Sequence, residues 1–244
     1  MAQLGIGTFK TCHTGCLVLH PGRALDNDLL GTLGTEDVAI KQVYLPSKEA
    51  TSSSAHQIIS RYGTSDERQK TLMEATLLCW ATSLLMFGYS FVDTEILALK
   101  ECATTTALQC DSIASSATRT RLSTAPTTLT YLLEEKIPSA ARFAKYINNS
   151  SAKPLVNDVD DPDFTTSLFL CCMQHILYSK SGRQLYISDF QGGGNLLSDP
   201  QIMTSAEYGF SDGNISYAFK DFPLQHECND YCHLLGLDNL PSTS

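Results

Sequence analysis

Near the C-terminus, three residues of metal-binding type fall close together: His226, Cys228 and Cys232 form an H-x-C-x-x-x-C group. If a helix begins near Asn229, the two thiols lie one turn apart and the imidazole reaches in from the preceding loop, a donor set that suits zinc. A closed tetrahedral site needs a fourth ligand. His175 is the best candidate by residue type and context, with His233, beside Cys232, as its rival. The spacing matches no standard finger, so a plainer reading stays open, with two small core cysteines and a loop histidine. The other cysteines, Cys12, Cys16, Cys79, Cys102, Cys110, Cys171 and Cys172, are assigned to core or surface thiols.

Two further groups suit phosphate and oxygen chemistry. Gly5 and Gly7 with Lys10 could set backbone N–H groups and one cation against phosphate oxygens, and Lys41 on the next strand adds a second positive charge. The plainer readings are a simple turn and a solvated lysine. Asp189 closes an apolar strand, Gln191 follows it, and Asp199 comes ten residues after Asp189, across a loop with three consecutive glycines. Carboxylates at the exit of a buried strand can hold Mg²⁺ or orient a hydroxyl, because the strand fixes them while the loop admits a ligand. Against this, Asp199 could merely open an Asp-Pro turn and Asp189 end a strand.

The elements that must position these residues follow from periodicity. A glycine-rich turn is expected to feed a strand running through Cys12, Cys16, Val18 and His20, and a second strand spans Glu36 to Tyr44, ended by Pro46. From Ser65 to Phe87 apolar residues recur at three- and four-residue steps, which predicts a long helix with Glu74 one position from its buried face. Phe91 to Ala98 reads as strand or helix. Ala103 to Thr130, rich in Ser, Thr and Ala, reads as an exposed, mobile insertion. Leu129 to Glu135 is strand-like, Phe143 to Asn149 reads as a turn of helix, and Phe164 to Tyr178 as a buried helix with a glycine stop that carries His175. A strand at Gln184 to Phe190 and helices at Tyr217 to Phe222 and Asn229 to Leu237 complete an α+β chain, with a frayed tail from Asp238.

Composition narrows the function classes. The 244 residues are 43% hydrophobic and 18% charged, ordinary for one domain or two joined lobes. Seventeen basic against twenty-six acidic residues give a net charge of −9, which repels nucleic acid unless basic residues cluster, and they do not. The first ten residues lack a signal peptide's apolar run, and the richest apolar stretch, Leu77 to Val92, is interrupted by Thr82, Ser83, Gly88 and Ser90. A soluble, cytoplasmic protein with reduced thiols is therefore expected, with neither nucleic acid nor membrane as partner.

The order of these pieces resembles the alpha-kinase family of atypical protein kinases. His175, then Gln184-Leu185-Tyr186-Ile187-Ser188-Asp189-Phe190-Gln191-Gly192, then Ser198-Asp199-Pro200-Gln201-Ile202, then Gly213-Asn214, then His226-Glu227-Cys228-Asn229-Asp230-Tyr231-Cys232 are similar, in order, to that family's buried histidine, D-x-Q-G, D-P-Q-I, G-N and H-x-C-N-x-x-C segments. Weaker matches are Gly7-Thr8-Phe9-Lys10, Val38-Ala39-Ile40-Lys41, Met73-Glu74-Ala75 and Leu133-Glu134. Conventional protein kinases are disfavoured, since the chain has no H-R-D and Asp189-Phe190 is followed by Gln191.

The resemblance implies a two-lobed fold, with an N-lobe over 1–133 and a C-lobe over 134–244, that transfers the γ-phosphate of ATP to a Ser or Thr hydroxyl of a protein substrate. It implies that Lys41 contacts the nucleotide near the α-phosphate and adenine, that Lys10 and the Gly7 loop meet the phosphates, and that Glu134 lies at the hinge by the adenine. Asp189 and Gln191 would hold Mg²⁺ at the γ-phosphate end, Asp199 would orient and deprotonate the acceptor hydroxyl, and His175, His226, Cys228 and Cys232 would bind a structural Zn²⁺. Four features depart from the pattern. Lys10 stands where the family usually has Arg, keeping the charge and losing the bidentate fork. Ser211 and Ser216 replace two glycines of the family's G-x-G-N-x-G loop, and the glycine-rich loop begins within ten residues of Met1, so an N-lobe short of its outer strands, or a truncated chain, is expected. The insertion has no family counterpart, and its hydroxyls suit autophosphorylation. These departures motivate a rival reading, a pseudokinase used as a zinc-braced binding module; a third is an interaction domain unrelated to nucleotides.

Overall fold

The computed structural model describes residues 3–6, 10–18, 35–45, 60–100, 115–121, 128–209 and 213–240. Its contacts divide the chain into two units, Met1–Thr76 with Ile113–Ile137, and Leu77–Ser112 with Pro138–Ser244.

In the first unit, β1 (Gln3–Ile6), β2 (Lys10–Val18), β3 (Thr35–Val43), β4 (Ser115–Arg121) and β5 (Thr128–Glu135) form an antiparallel sheet in the order β1-β2-β3-β5-β4. The central strand β3 is rich in β-branched residues, and its successive residues Val38 and Ala39 are both buried, so both of its faces are covered. Lys41 is therefore carried into the interior by the strand that holds it. β4 corrects the expectation of a structureless insertion over 103–130. Its ladder with β5 runs from Ser115 opposite Glu134 to Arg121 opposite Thr128. A run of Ser, Thr and Ala has little apolar bulk, but strand pairing uses main-chain N–H and C=O groups that every such residue carries. The expected glycine turn at Gly7 and the segments 101–114 and 122–127 lie outside the described residues.

Helix α1 (Thr64–Lys100) is longer than the sequence suggested and absorbs the stretch Phe91 to Ala98. The polar residues that interrupt its apolar run do not break it, because their hydroxyls bond back to the preceding turn. Thr76 Oγ1 donates to the Leu72 carbonyl (2.8 Å), Ser83 Oγ to Cys79 (2.9 Å) and Ser90 Oγ to Phe87 (2.7 Å). By length and composition alone, Thr64–Asp93 is long and apolar enough to cross a membrane, which the sequence reading had not allowed. Its first turns belong to the first unit and Leu77 onward to the second.

In the second unit, β6 (Ala144–Lys145) stands where a helical turn was expected, because its backbone pairs with β8 (Gln191–Gly193), and Tyr146 and Ile147 both donate to the Phe190 carbonyl at 2.8 and 3.2 Å. Helix α2 (Phe164–Lys180) is continuously buried from Leu170 to Tyr178, as an element apolar all round must be. It stops at Ser181, followed by Gly182 at φ +68°, where a side chain would be strained. β7 (Leu185–Ser188) packs along α2 and pairs antiparallel with β10 (Gln201–Thr204), while β8 pairs with both β6 and β9 (Leu196–Ser198). Helices α3 (Ser216–Gln225) and α4 (Asp230–Leu234) follow. Tyr186 stacks on Phe222 with ring centroids 4.1 Å apart and donates its hydroxyl to the Ala218 carbonyl, fixing α3 on β7.

Candidate active site and metal centre

The four metal-type residues converge in the second unit. Helix α2 supplies His175, α4 supplies Cys232, and the connection between α3 and α4 supplies His226 and Cys228. Asn229 sets that connection. Its side-chain oxygen accepts from the backbone N–H of Tyr231 and Cys232, capping α4, and its Nδ2 donates to the Leu168 carbonyl at 2.9 Å, holding the cap on α2. His175 Nδ1 is 3.7 Å from Cys228 Sγ, His226 Nε2 is 3.7 Å from Cys232 Sγ, and all four ligand atoms lie within 4.8 Å of one another. A tetrahedral zinc with Zn–S of about 2.3 Å and Zn–N of about 2.0 Å requires S···N separations of about 3.6 Å, so this donor set and spacing fit the ion.

His175 Nε2 and His226 Nδ1 are buried without a hydrogen-bond partner among the described residues, so packing orients the rings. Cys232 is held far below the usual thiol range by a hydrogen bond from Cys172 and by both imidazoles, against its burial. Burial pushes the neighbouring Cys171 up to about 12. His233, the rival ligand, is exposed and outside the group.

A second constellation sits at the β8–β9 hairpin. The three glycines are not an open loop. Gly192 and Gly193 are strand residues, and the turn is Gly194-Asn195, with Gly194 at φ +63°. A side chain at Gly192 would have its Cβ 2.0 Å from the Leu196 carbonyl oxygen, so the close hairpin admits only glycine there. Gln191 is paired with Ser198, so Asp189, two residues before Gln191, and Asp199, one after Ser198, emerge at the same end of the hairpin. Both aspartates are left-handed, at φ +60° and +51°. The backbone around Asp189 is tied down on three sides. Gln174 Nε2 donates to the Ile187 carbonyl (2.9 Å), Ser188 Oγ donates to the Asn148 carbonyl (2.7 Å), and the Phe190 carbonyl accepts from Tyr146 and Ile147.

Lys145 was missed in the sequence. Its Nζ lies 2.7 Å from Asp189 Oδ1, a close ion pair rather than a directed hydrogen bond, since that oxygen has no aligned donor. Reading 143–149 as a helical turn hid it; the alternation Ala144 buried, Lys145 exposed, Tyr146 buried was the available signal.

The first unit brings the basic residues together with carboxylates. Lys41 Nζ is 2.7 Å from Glu134 Oε2, both side chains nearly inaccessible. Ala39 faces Glu134 and Lys41 faces Leu132 across β3 and β5, so lysine and glutamate are diagonal neighbours on one sheet face. Glu134 thus lies within a central strand of the first unit, its carboxylate on Lys41. Lys10 Nζ is 2.6 Å from Glu74 Oε2 of α1. Glu67, which the sequence reading passed over, is 1% exposed; it pairs with Arg61 and accepts from the Thr130 backbone N–H at 3.1 Å, joining α1 to β5.

Comparison with known proteins converges on one family. The alpha-kinase family profile matches residues 40–232. The chain is 37% identical over 100 residues to alpha-protein kinase 1 of Dictyostelium discoideum, covering 41% of this chain and 7% of that one. It is also 37% identical over 94 residues to human eukaryotic elongation factor 2 kinase, covering 38% and 12%. It therefore spans only a small part of the curated relatives it matches. In fold it is similar to the alpha-kinase domain of myosin heavy chain kinase A in complex with AMP, with a TM-score of 0.62 and 17% identity over 97% of this chain and 88% of that one. The complex of the same domain with AMP-PNP gives a TM-score of 0.60 over 97% and 86%. With its motifs, its hairpin and its His/Cys quartet in that order, the chain belongs to the alpha-kinase family of atypical protein kinases.

Proposed function

We propose that the chain transfers the γ-phosphate of ATP to a serine or threonine hydroxyl of a protein substrate. The observation that carries this reading is the β8–β9 hairpin, which delivers Asp189, Gln191 and Asp199 to one end of one rigid element. The related domain is known in complexes named for AMP and AMP-PNP, which supports nucleotide binding by this chain.

Asp189 and Gln191 would hold Mg²⁺ through side-chain oxygens, and the buried, unaligned Asp189 Oδ1 fits a cation better than a second proton donor. When bound, Mg²⁺ supplies charge neutralisation of the transferring phosphoryl group. The residues of the chain do the rest. Asp199, held at the hairpin exit, accepts the proton of the acceptor hydroxyl and aligns its oxygen for attack. Lys145 holds the Asp189 carboxylate in place and offers its half-exposed ammonium to a phosphate oxygen. Lys10 binds the phosphates by exchanging its Glu74 partner for phosphate, and Lys41 contacts the nucleotide while still paired with Glu134. His175, His226, Cys228 and Cys232 would bind a structural Zn²⁺, whose four protein ligands leave no position open for catalysis.

A second reading, a pseudokinase that binds nucleotide without transfer or does neither, is favoured by the Lys10–Glu74 pair, because that carboxylate competes with phosphate for a lysine that lacks arginine's fork. One experiment separates the two. Transfer from labelled ATP with Mg²⁺ to threonine-containing protein, falling about a thousandfold or more in Asp199→Asn, supports the kinase. Nucleotide binding with no transfer in the natural sequence sinks it.

A further inference from the structure

We propose that the outer face of α1 is a homodimer seam, on which a second copy of this chain docks its own α1 antiparallel about a two-fold axis between Ala81 and Thr82. The seam uses none of the residues of the metal site or of the phosphoryl-transfer site, so it stands or falls independently of both.

From Leu77 onward the inner face of α1 is occupied. Leu77, Leu78, Ala81 and Val92 are buried, a side chain at Gly88 would strike Met173 of α2, and Tyr89 meets Phe169 of α2 with ring centroids 5.8 Å apart. The outer face is exposed and apolar: Met73, Trp80 and Phe87 are 40%, 52% and 49% accessible, and no exposed residue from Leu72 to Ser90 is charged. Met73, Trp80 and Phe87 recur every seven residues, and so do the exposed Thr76, Ser83 and Ser90 that lie between them. A strict seven-residue repeat in steps of three and four is the pattern of a coiled-coil seam, which takes a second helix as its partner.

The way the two rows alternate identifies that helix as a second copy. With Trp80 laid opposite Ser83 of an antiparallel copy, the same register sets Met73 opposite Ser90 and Phe87 opposite Thr76, so every layer joins one large apolar side chain to one small hydroxyl residue. Self-complementarity about a two-fold axis is what an isologous dimer requires. A parallel pair would instead stack Trp80 on Trp80 and leave a void at Ser83. Hydroxyls in an apolar seam are ordinarily costly, but each of these already donates to its own helix, Thr76 to the Leu72 carbonyl, Ser83 to Cys79 and Ser90 to Phe87, so burial strands no donor. Charge agrees with the register. Asp93, just beyond one end of the seam, falls level with Lys70 and within a turn of Arg68 of the other copy, whereas a parallel pair would oppose like charges. A bilayer would gain nothing from regular alternation of large and small residues. One helix against one helix makes a small interface, so the dimer should be weak, with a Kd on the order of micromolar.

Sedimentation equilibrium of the chain over about 1–200 µM tests this, and a reversible monomer–dimer equilibrium is expected. Trp80→Ser, which opens a void, and Ser83→Trp, which sets one tryptophan against another, should each weaken association by about tenfold or more. The double variant Trp80→Ser/Ser83→Trp exchanges the two halves of the central layer and should return to within about threefold of the natural chain. Monomer at every concentration overturns the proposal, and a dimer that neither single substitution weakens lies elsewhere and overturns it as well. Tighter association in Ser83→Trp, which would fill the void of a parallel pair, or no recovery in the double variant, overturns the antiparallel register. Flotation of a monomeric chain with phosphatidylcholine–phosphatidylserine vesicles makes the face a lipid contact and overturns the dimer. Should Trp80→Ser fail to fold, Ser83→Trp decides against the natural chain, since it adds to the exposed face and removes nothing from the packed one.

Discussion

Two lysine–carboxylate pairs, one in each unit, have the same separation in opposite settings. Lys41 and Glu134 meet at 2.7 Å with side chains 6% and 3% exposed; Lys145 and Asp189 meet at 2.7 Å with side chains 43% and 14% exposed. Distance is equal, so the surroundings decide what each pair is worth. Removing one partner of a buried pair costs about 3–5 kcal/mol, whereas an open pair contributes about 0–1 kcal/mol. The first pair is thus part of what holds β3 to β5. The second is part of the reactive end of a hairpin, and its lysine can turn to an incoming anion at little cost to the fold.

The contrast can be broken in three ways. The largest effect is expected from metal removal. A structural zinc site contributes on the order of 10 kcal/mol of apparent binding free energy, so a strong chelator should strip hydrogen-exchange protection from α2, α4 and the β8–β9 hairpin. Protection of β2, β3 and β5 should survive; if both units lose it together, they do not have separate sources of stability. Next come the pairs themselves. Glu134→Gln withdraws a countercharge from a buried ammonium and should destabilise the first unit by about 3 kcal/mol in denaturant unfolding. Lys145→Met should destabilise the second unit by less than Glu134→Gln destabilises the first, while lowering transfer. The reverse ranking would remove the distinction drawn here. The smallest effect concerns the solvent-exposed pair Arg142–Asp161, whose two parallel hydrogen bonds hold the Asp161 carboxyl below its ordinary value. A depressed acid stabilises the fold above its unfolded pKa and loses that contribution as pH falls through the folded value. Arg142→Ala should therefore raise the Asp161 midpoint in a carboxyl NMR titration, and the small contribution of the pair should be missing at neutral pH while stability below the folded midpoint is unchanged.

Legibility in the sequence differed between the units for physical reasons. Helix α2, strand β7 and the metal quartet could be read because a continuous apolar run, a glycine stop and soft ligands are local signals. Strand β4 could not, because Ser115–Arg121 has little apolar bulk and is held by main-chain pairing with a strand that is set by tertiary structure. The full length of α1 was hidden by hydroxyls whose back-bonds are invisible to a hydropathy pattern. The partnerships of Lys145 with Asp189 and of Lys41 with Glu134 were likewise hidden, since they join residues 44 and 93 positions apart and depend on strand register, which spacing along the chain does not reveal.

The left-handed backbone at Asp189 and Asp199 restricts what can replace them. Only glycine, asparagine and aspartate enter that region readily, so an alanine at either position would disturb the main chain as well as delete a carboxylate, and a loss of activity could not be assigned to chemistry. Asparagine keeps the shape and removes the charge. By the same logic, a descendant of this hairpin that has lost phosphoryl transfer while keeping its fold is expected to carry Asn or Gly at one of these two positions, a signature that can be looked for before any assay is run.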